Sequence, residues 1–204
     1  MIIFLMSAFT CITPKNIVVA NCLPLTKQAF LVQRAASIEK HEYAKSYYNW
    51  DIYYQTIGNY LASTLDKFEK LGVRVVHELT NSQWGKVFNE GSLAVLLIAH
   101  WQESHSEHRS CVEFSDGFLG IEEIANQIPL SRQIILDLCV CHPIPLVDLI
   151  EEIRPNVRIV YKEIEVDPHL WLLIYLTAFY ELAFKSMDYA TALERSIANL
   201  IYTK

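Results

Sequence analysis

The 204-residue chain has no cluster or stripe of lysine and arginine to set against its net charge of −6. That absence argues against a nucleic-acid binder, which needs a basic footprint. There is no Cys-x-x-Cys, and the cysteines (Cys11, Cys22, Cys111, Cys139 and Cys141) are odd in number. No compact disulfide framework follows, and a reducing, cytoplasmic setting is expected. The amino-terminal stretch lacks a basic leader and its apolar run is short. Residues 2–9 therefore read as a buried strand rather than a signal peptide. The apolar stretch 170–184 is broken by Thr177 and Glu181 and is too short to span a bilayer, so it reads as a core helix with no membrane role. No internal repeat, low-complexity segment or linker is visible. One domain over residues 1–204 is expected, with a strand-and-helix region to about residue 71.

What the sequence does have is a set of buried strands alternating with helical patterns. Residues 132–143, Arg-Gln-Ile-Ile-Leu-Asp-Leu-Cys-Val-Cys-His-Pro, begin as a strand buried on both faces and end in cysteine and histidine. Residues 92–100 have the same shape and end in His100. Further strands are expected at 16–23, 73–79 and 157–166. Helices are expected at 27–71 (broken near 41–46), 81–89, 121–127, 146–153, 168–185 and 188–202. Asn81 or Ser82 reads as the cap of the second of these. A polar loop is expected at 102–110, followed by a hairpin at 111–120 turning on Asp116-Gly117. This alternation predicts an α/β three-layer sandwich with a mostly parallel central sheet.

Open α/β sheets carry their sites at the carboxyl ends of the strands. Two neighbouring core strands delivering His100 and Cys141 to one sheet edge would make a thiol–imidazole pair. Cys141 also stands just ahead of a predicted helix start, a position that favours a thiolate. Cys139 is two residues back, on the same face of a regular strand, and is the other candidate nucleophile.

These pieces occur in the order Val95-Leu-Leu-Ile-Ala-His100, then Val112-Glu-Phe-Ser-Asp-Gly-Phe-Leu-Gly-Ile-Glu-Glu-Ile124, then Ile134-Ile-Leu-Asp-Leu-Cys-Val-Cys141. In that order and spacing the chain resembles the caspase-like (clan CD) cysteine peptidases, the CHAT group in particular, over roughly residues 73–153. Cys141-His142 is also similar to the start of the metacaspase nucleophile motif. The resemblance implies a caspase-like fold and a regulated effector endopeptidase acting on a protein or peptide substrate. It implies a His100–Cys141 dyad, no cofactor, no metal, and a separate regulatory protein partner. Oxyanion donors would be backbone N–H groups of Cys141 and of a residue just after His100, where Trp101 stands. Cys139 would occupy the position that often lines the P1 pocket. Asp137, two further back, would favour a basic substrate side chain if it reached that pocket and is otherwise satisfied locally; His142 would support the site or start the following helix. Where the family has glycine soon after the histidine, this chain has Trp101 and Gln102. After the cysteine it has His142-Pro143-Ile144. A catalytically inactive caspase-like scaffold is the alternative.

Other histidines read as structural: His77 within a strand, His41 and His169 at surface or cap positions. Residues 100–111 hold three histidines and a cysteine, but their spacing matches no common zinc module. Glu103, His105 and Glu107 read instead as a solvated loop able to touch substrate or a regulator. The tyrosine-rich stretch Tyr43, Tyr47, Tyr48, Tyr53 and Tyr54 reads as packing with hydroxyls to water.

Overall fold

The computed structural model describes residues 12–40, 49–89, 91–104, 109–162 and 167–202. The expected strand at 2–9, the helix break at 41–46, His41, the tyrosines up to Tyr48, and the end of the expected 157–166 strand lie outside the described residues. So do the side chains of Glu103, His105 and Glu107.

Five parallel strands form the centre: β1 (Ile17–Asn21), β2 (Arg74–Val76), β3 (Ala94–Ile98), β7 (Ile134–Cys139) and β8 (Val157–Tyr161). Their order is β2-β1-β3-β7-β8. Parallel neighbours require crossovers, and helices supply them on both faces. Alternate residues of β1, β3 and β7 enter two separate cores. Ile17, Val19, Leu96, Ile98 and Ile135 pack with Phe68 of α3 (Asn59–Lys70), with Trp171, Tyr175 and Phe179 of α6 (Pro168–Phe184), and with Tyr189 of α7 (Tyr189–Tyr202). Val18, Ala20, Val95, Leu97, Leu136 and Leu138 pack on the other face. There they meet Trp84 of a 3-10 helix (Asn81–Val87), Ile124 of α4 (Ile121–Asn126), and Leu146 and Ile150 of α5 (Ile144–Ile153). The architecture is thus α/β, with a parallel sheet between two helical layers.

A second, antiparallel sheet intervenes between β3 and β7: β4 (His100–Ser104), β5 (Arg109–Phe114) and β6 (Gly117–Gly120), in that order. Helix α1 (Lys27–Lys40) follows β1. A short α2 (Trp50–Tyr53) runs through a π-helical turn (Tyr54–Gly58) into α3. Among the described residues no helix is long and apolar enough to cross a membrane.

Several boundaries differ from the sequence expectation, each for a tertiary reason. Of the expected polar loop at 102–110, residues 102–104, 109 and 110 are strand, because β4 pairs residue for residue with β5 from His100↔Glu113 to Ser104↔Arg109. The backbone ladder satisfies groups that a polar composition had implied were solvated. The hairpin closes at Phe114↔Gly117, so Ser115 and Asp116 are its central residues rather than Asp116 and Gly117. The segment following β2 holds that register. The Ser115 N–H donates to the Leu79 carbonyl (3.0 Å), and Asp116 Oδ1 accepts the Asn81 N–H (2.8 Å). The 81–87 helix is 3-10 with Thr80 as its cap, and Gln83 Oε1 accepts the Thr80 N–H at 3.0 Å. β2 stops at Val76, so His77 lies beyond the strand, exposed and 3.2 Å from Glu69.

Candidate functional site

The two central strands β3 and β7 end at the same sheet edge. Their last register pair is Ile98↔Cys139, and the Ala99 N–H still donates to the Cys139 carbonyl at 3.4 Å. His100 and Cys141 each stand two residues beyond that pair. Adjacent strands are about 4.8 Å apart, so the register carries both residues to one edge. From there the paths diverge. His100 opens β4. Cys139 is the last residue of β7, and Val140 is still core. Cys141 lies past the strand and is half-buried. His142 is exposed, with φ 49 in the left-handed region. That conformation is uncommon for a side-chain-bearing residue, and here it turns the chain toward Pro143, the cap of α5.

Helix α1, whose Arg34 acts electrostatically on His100, is held in place by polar contacts. Glu78, itself at φ 49, holds the start of that helix with one carboxylate oxygen. This oxygen accepts from the Leu25 N–H (2.8 Å), the Thr26 N–H (2.7 Å) and the Thr26 hydroxyl (3.0 Å). A carboxylate at a helix amino terminus also meets the positive end of the helix dipole. Gln33 then fastens α1 to the sheet edge, its Nε2 donating to the carbonyls of Cys22 (2.8 Å) and Phe114 (3.1 Å). The next residue, Arg34, is buried, with its guanidinium 5.3 Å from the centre of the Phe30 ring. Burial first, and the Arg34 charge second, push the His100 imidazole down to about 4. The ring is therefore neutral at neutral pH. Glu113, buried on β5, lies directly opposite His100 in the β4–β5 ladder. Burial, then Glu113 and Asp116, push the Cys22 thiol up. Burial likewise raises the Tyr53 phenol, whose hydroxyl donates to the Pro24 carbonyl at 2.9 Å.

Asp137 of β7 is 0% exposed and hydrogen-bonded through both carboxylate oxygens. Its Oδ1 accepts from the Tyr175 hydroxyl at 2.6 Å and its Oδ2 from the Tyr189 hydroxyl at 3.1 Å. Lys162 Nζ donates to the Tyr175 oxygen at 2.6 Å and stands 3.5 Å from the centre of the Trp171 ring, a cation–π contact. Burial pushes the Asp137 carboxyl up, against the pull of Lys162 and the tyrosines. Cys139 borders this cluster. Burial outweighs the Lys162 charge and raises its thiol to about 11.

The fold thus brings His100 and Cys141 to one edge and holds Cys139 and Asp137 in the core beneath it. Trp101 packs against the Leu97 face, and its indole N–H has no hydrogen-bond partner among the described residues. His169 contacts the Thr56 carbonyl and the Tyr60 ring. No group of three or more histidine, cysteine and acidic side chains forms a metal-binding set among the described residues. Sequence reasoning missed Arg34, Gln33 and Glu113. Glu113 lies between Val112 and Phe114, where alternation marks an outward position. In comparisons with known proteins, no family and no curated protein matches the chain.

Proposed function

We propose that the chain is a caspase-like cysteine endopeptidase in which His100 and Cys141 form the catalytic dyad. The observation that carries this reading is the β3–β7 register, which sends both residues past one strand-end pair, Ile98↔Cys139. The order of parts supports it: a core strand leading to His100, an acidic-glycine hairpin leading into α4, and a core strand leading to Cys141. That is the order of the clan CD peptidases the sequence resembles.

In this mechanism the neutral His100 takes the Cys141 proton, and the thiolate attacks the scissile peptide carbonyl. The imidazolium then protonates the leaving amine, and water releases the acyl group from the resulting thioester. Backbone N–H groups of Cys141 and of a residue just after His100 would receive the oxyanion. The Asp137 carboxylate is occupied by Tyr175 and Tyr189, so it offers no partner to a basic P1 side chain. The substrate class is a protein or peptide, and regulation is assigned to a separate protein.

Iodoacetamide labelling with peptide mapping tests the dyad on the wild-type chain, Cys141→Ala and His100→Ala. Cys141 should label fastest, well ahead of Cys139, whose thiol is held protonated up to about 11. His100→Ala should slow Cys141 labelling by about a hundredfold, the lower range of a general-base contribution. Slow labelling spread evenly over the cysteines overturns the reading.

A second reading, an inactive caspase-like scaffold, is favoured by one observation. An imidazole pushed down to about 4 is a weak base. The same labelling decides: a Cys141 rate indifferent to His100 selects the scaffold.

A further inference from the structure

Helix α6 is apolar on both of its faces. One face sends Trp171, Tyr175, Phe179 and Leu182 into the core against the sheet. The other holds Leu170, Leu173, Tyr180 and Phe184, all exposed, with Phe184 at 76%. Together with the half-buried Thr177 these residues follow steps of three and four: 170, 173, 177, 180 and 184. That spacing lines them up as one stripe, about 21 Å long at about 1.5 Å per residue. No charged residue stands between His169 and Glu181. At the far end the Tyr180 and Phe184 rings stack, with centroids 6.1 Å apart. A helix that is apolar all round is one that folded proteins bury. An unbroken exposed apolar patch marks an interaction site.

We propose that the exposed stripe of α6 pairs with the same stripe of a second copy of this chain, antiparallel about a two-fold axis near Thr177. The charges at the two ends of the stripe select this occupant. Asp167 is exposed at the amino-terminal end. Lys185 is exposed at the carboxyl-terminal end, where it holds Glu181 at 2.7 Å. Turned half way round, the stripe sets Leu170 beside the second copy's Phe184, Leu173 beside its Tyr180, and Asp167 beside its Lys185. A patch that matches itself under this rotation is what an isologous two-fold interface requires. The antiparallel direction also sets the two helix dipoles head to tail, a favourable alignment. A parallel pairing would instead put Asp167 against Asp167 and Lys185 against Lys185. One helical stripe covers well under the roughly 800 Å² per partner of a standard interface. The pairing is therefore weak and concentration-dependent, and it does not depend on the dyad reading.

Sedimentation velocity on the full chain over a micromolar concentration series tests the pairing, with Leu173→Glu and Tyr180→Glu alongside. The wild-type mass should climb from one chain toward two. Each glutamate lands near the centre of the contact and should raise the dissociation constant by about tenfold or more. Oxidative cross-linking reads the direction. Thr177→Cys, near the axis, should give a disulfide-linked dimer above the wild-type background. Leu170→Cys should not, because the two copies of that position stand about 21 Å apart along the helices, whereas a disulfide joins Cα atoms within about 7 Å. A wild-type chain that stays monomeric throughout the series overturns the proposal and leaves the stripe to a different protein. A dimer indifferent to both glutamates overturns it too, as does Leu170→Cys cross-linking as readily as Thr177→Cys. If a glutamate variant fails to fold, the wild-type series and the two cysteine variants decide alone.

Discussion

Two buried polar clusters flank the carboxyl edge of the sheet, and they are finished to different degrees. Around Asp137 the network closes on itself. Both carboxylate oxygens accept tyrosine hydroxyls, and Lys162 donates to one of those hydroxyls and covers the Trp171 ring. On the His100 side the network is left open. Gln33 gives its amide hydrogens to two carbonyls, yet its Oε1 has no hydrogen-bond partner among the described residues. Buried groups in a closed network serve the fold, because removing any one strands another. Buried groups left short of partners cost stability, and proteins keep them mainly where chemistry is done. On the proposed reading, Asp137 belongs to the scaffold and His100 to the site.

The most forceful way to break this comparison is to remove Asp137. Asp137→Ala leaves Lys162 as an uncompensated cation in the core and should cost about 3–5 kcal/mol, the range for breaking a buried ion pair. Urea denaturation monitored by tryptophan fluorescence measures it. A loss below about 1 kcal/mol would mean that the closed network is not what holds β7 and β8 against α6.

The clusters should also answer acid with opposite signs. His100 titrates near 6.5 when unfolded and near 4 when folded. Between those values the unfolded chain binds a proton that the folded chain refuses. Stability from this group is therefore full above pH 6.5 and lost as pH falls toward 4, by about 3 kcal/mol at about 1.4 kcal/mol per unit. Asp137 has a raised folded pKa. The folded chain takes up its proton first, so this group adds stability as pH falls toward the ordinary carboxylate value. Urea midpoints at pH 7.5 and 4.5 should converge in His100→Gln relative to wild type and spread further in Asp137→Asn. The same pH response in both variants would erase the distinction.

Much of the scaffold was legible and the surroundings of His100 were not, for one reason. Strands β1, β3 and β7 are buried on both faces, and continuous apolar runs announce such strands without reference to the rest of the chain. α6 announced itself through its apolar length, with Pro168 in the first turn and the Asp167 carboxylate accepting the Leu170 N–H at the cap. Asp137 was visible as a polar interruption. Its partners were not, since Tyr175 and Tyr189 lie 38 and 52 residues away in sequence. The pairing of His100 with β5 was hidden because the polar composition of that stretch resembles a loop. Arg34 and Gln33 gave no signal, because nothing in a single helix says which edge of a sheet it will cover. The ends of β3 and β7 were readable, whereas the place of α1 against the end of β5 was a tertiary fact.

Gln33 gives the smallest effect and the sharpest contrast. It is as deeply buried as Tyr175, at 1% against 0% exposure. If burial alone set the energetic weight of a polar side chain, Gln33→Met and Tyr175→Phe would cost the same. They should not. Tyr175→Phe removes the oxygen that joins Lys162 to Asp137, leaving two charged groups each short of a partner, at about 1–3 kcal/mol. Gln33→Met removes two donors to carbonyls, but it also removes an acceptor that is already unpaired among the described residues. The relief of that desolvation offsets much of the loss, and methionine fills the space with a flexible apolar chain. The net cost should stay below about 1 kcal/mol. If the two substitutions prove equal in urea, Gln33 Oε1 has a partner in solution, and its surroundings are as closed as the Asp137 cluster.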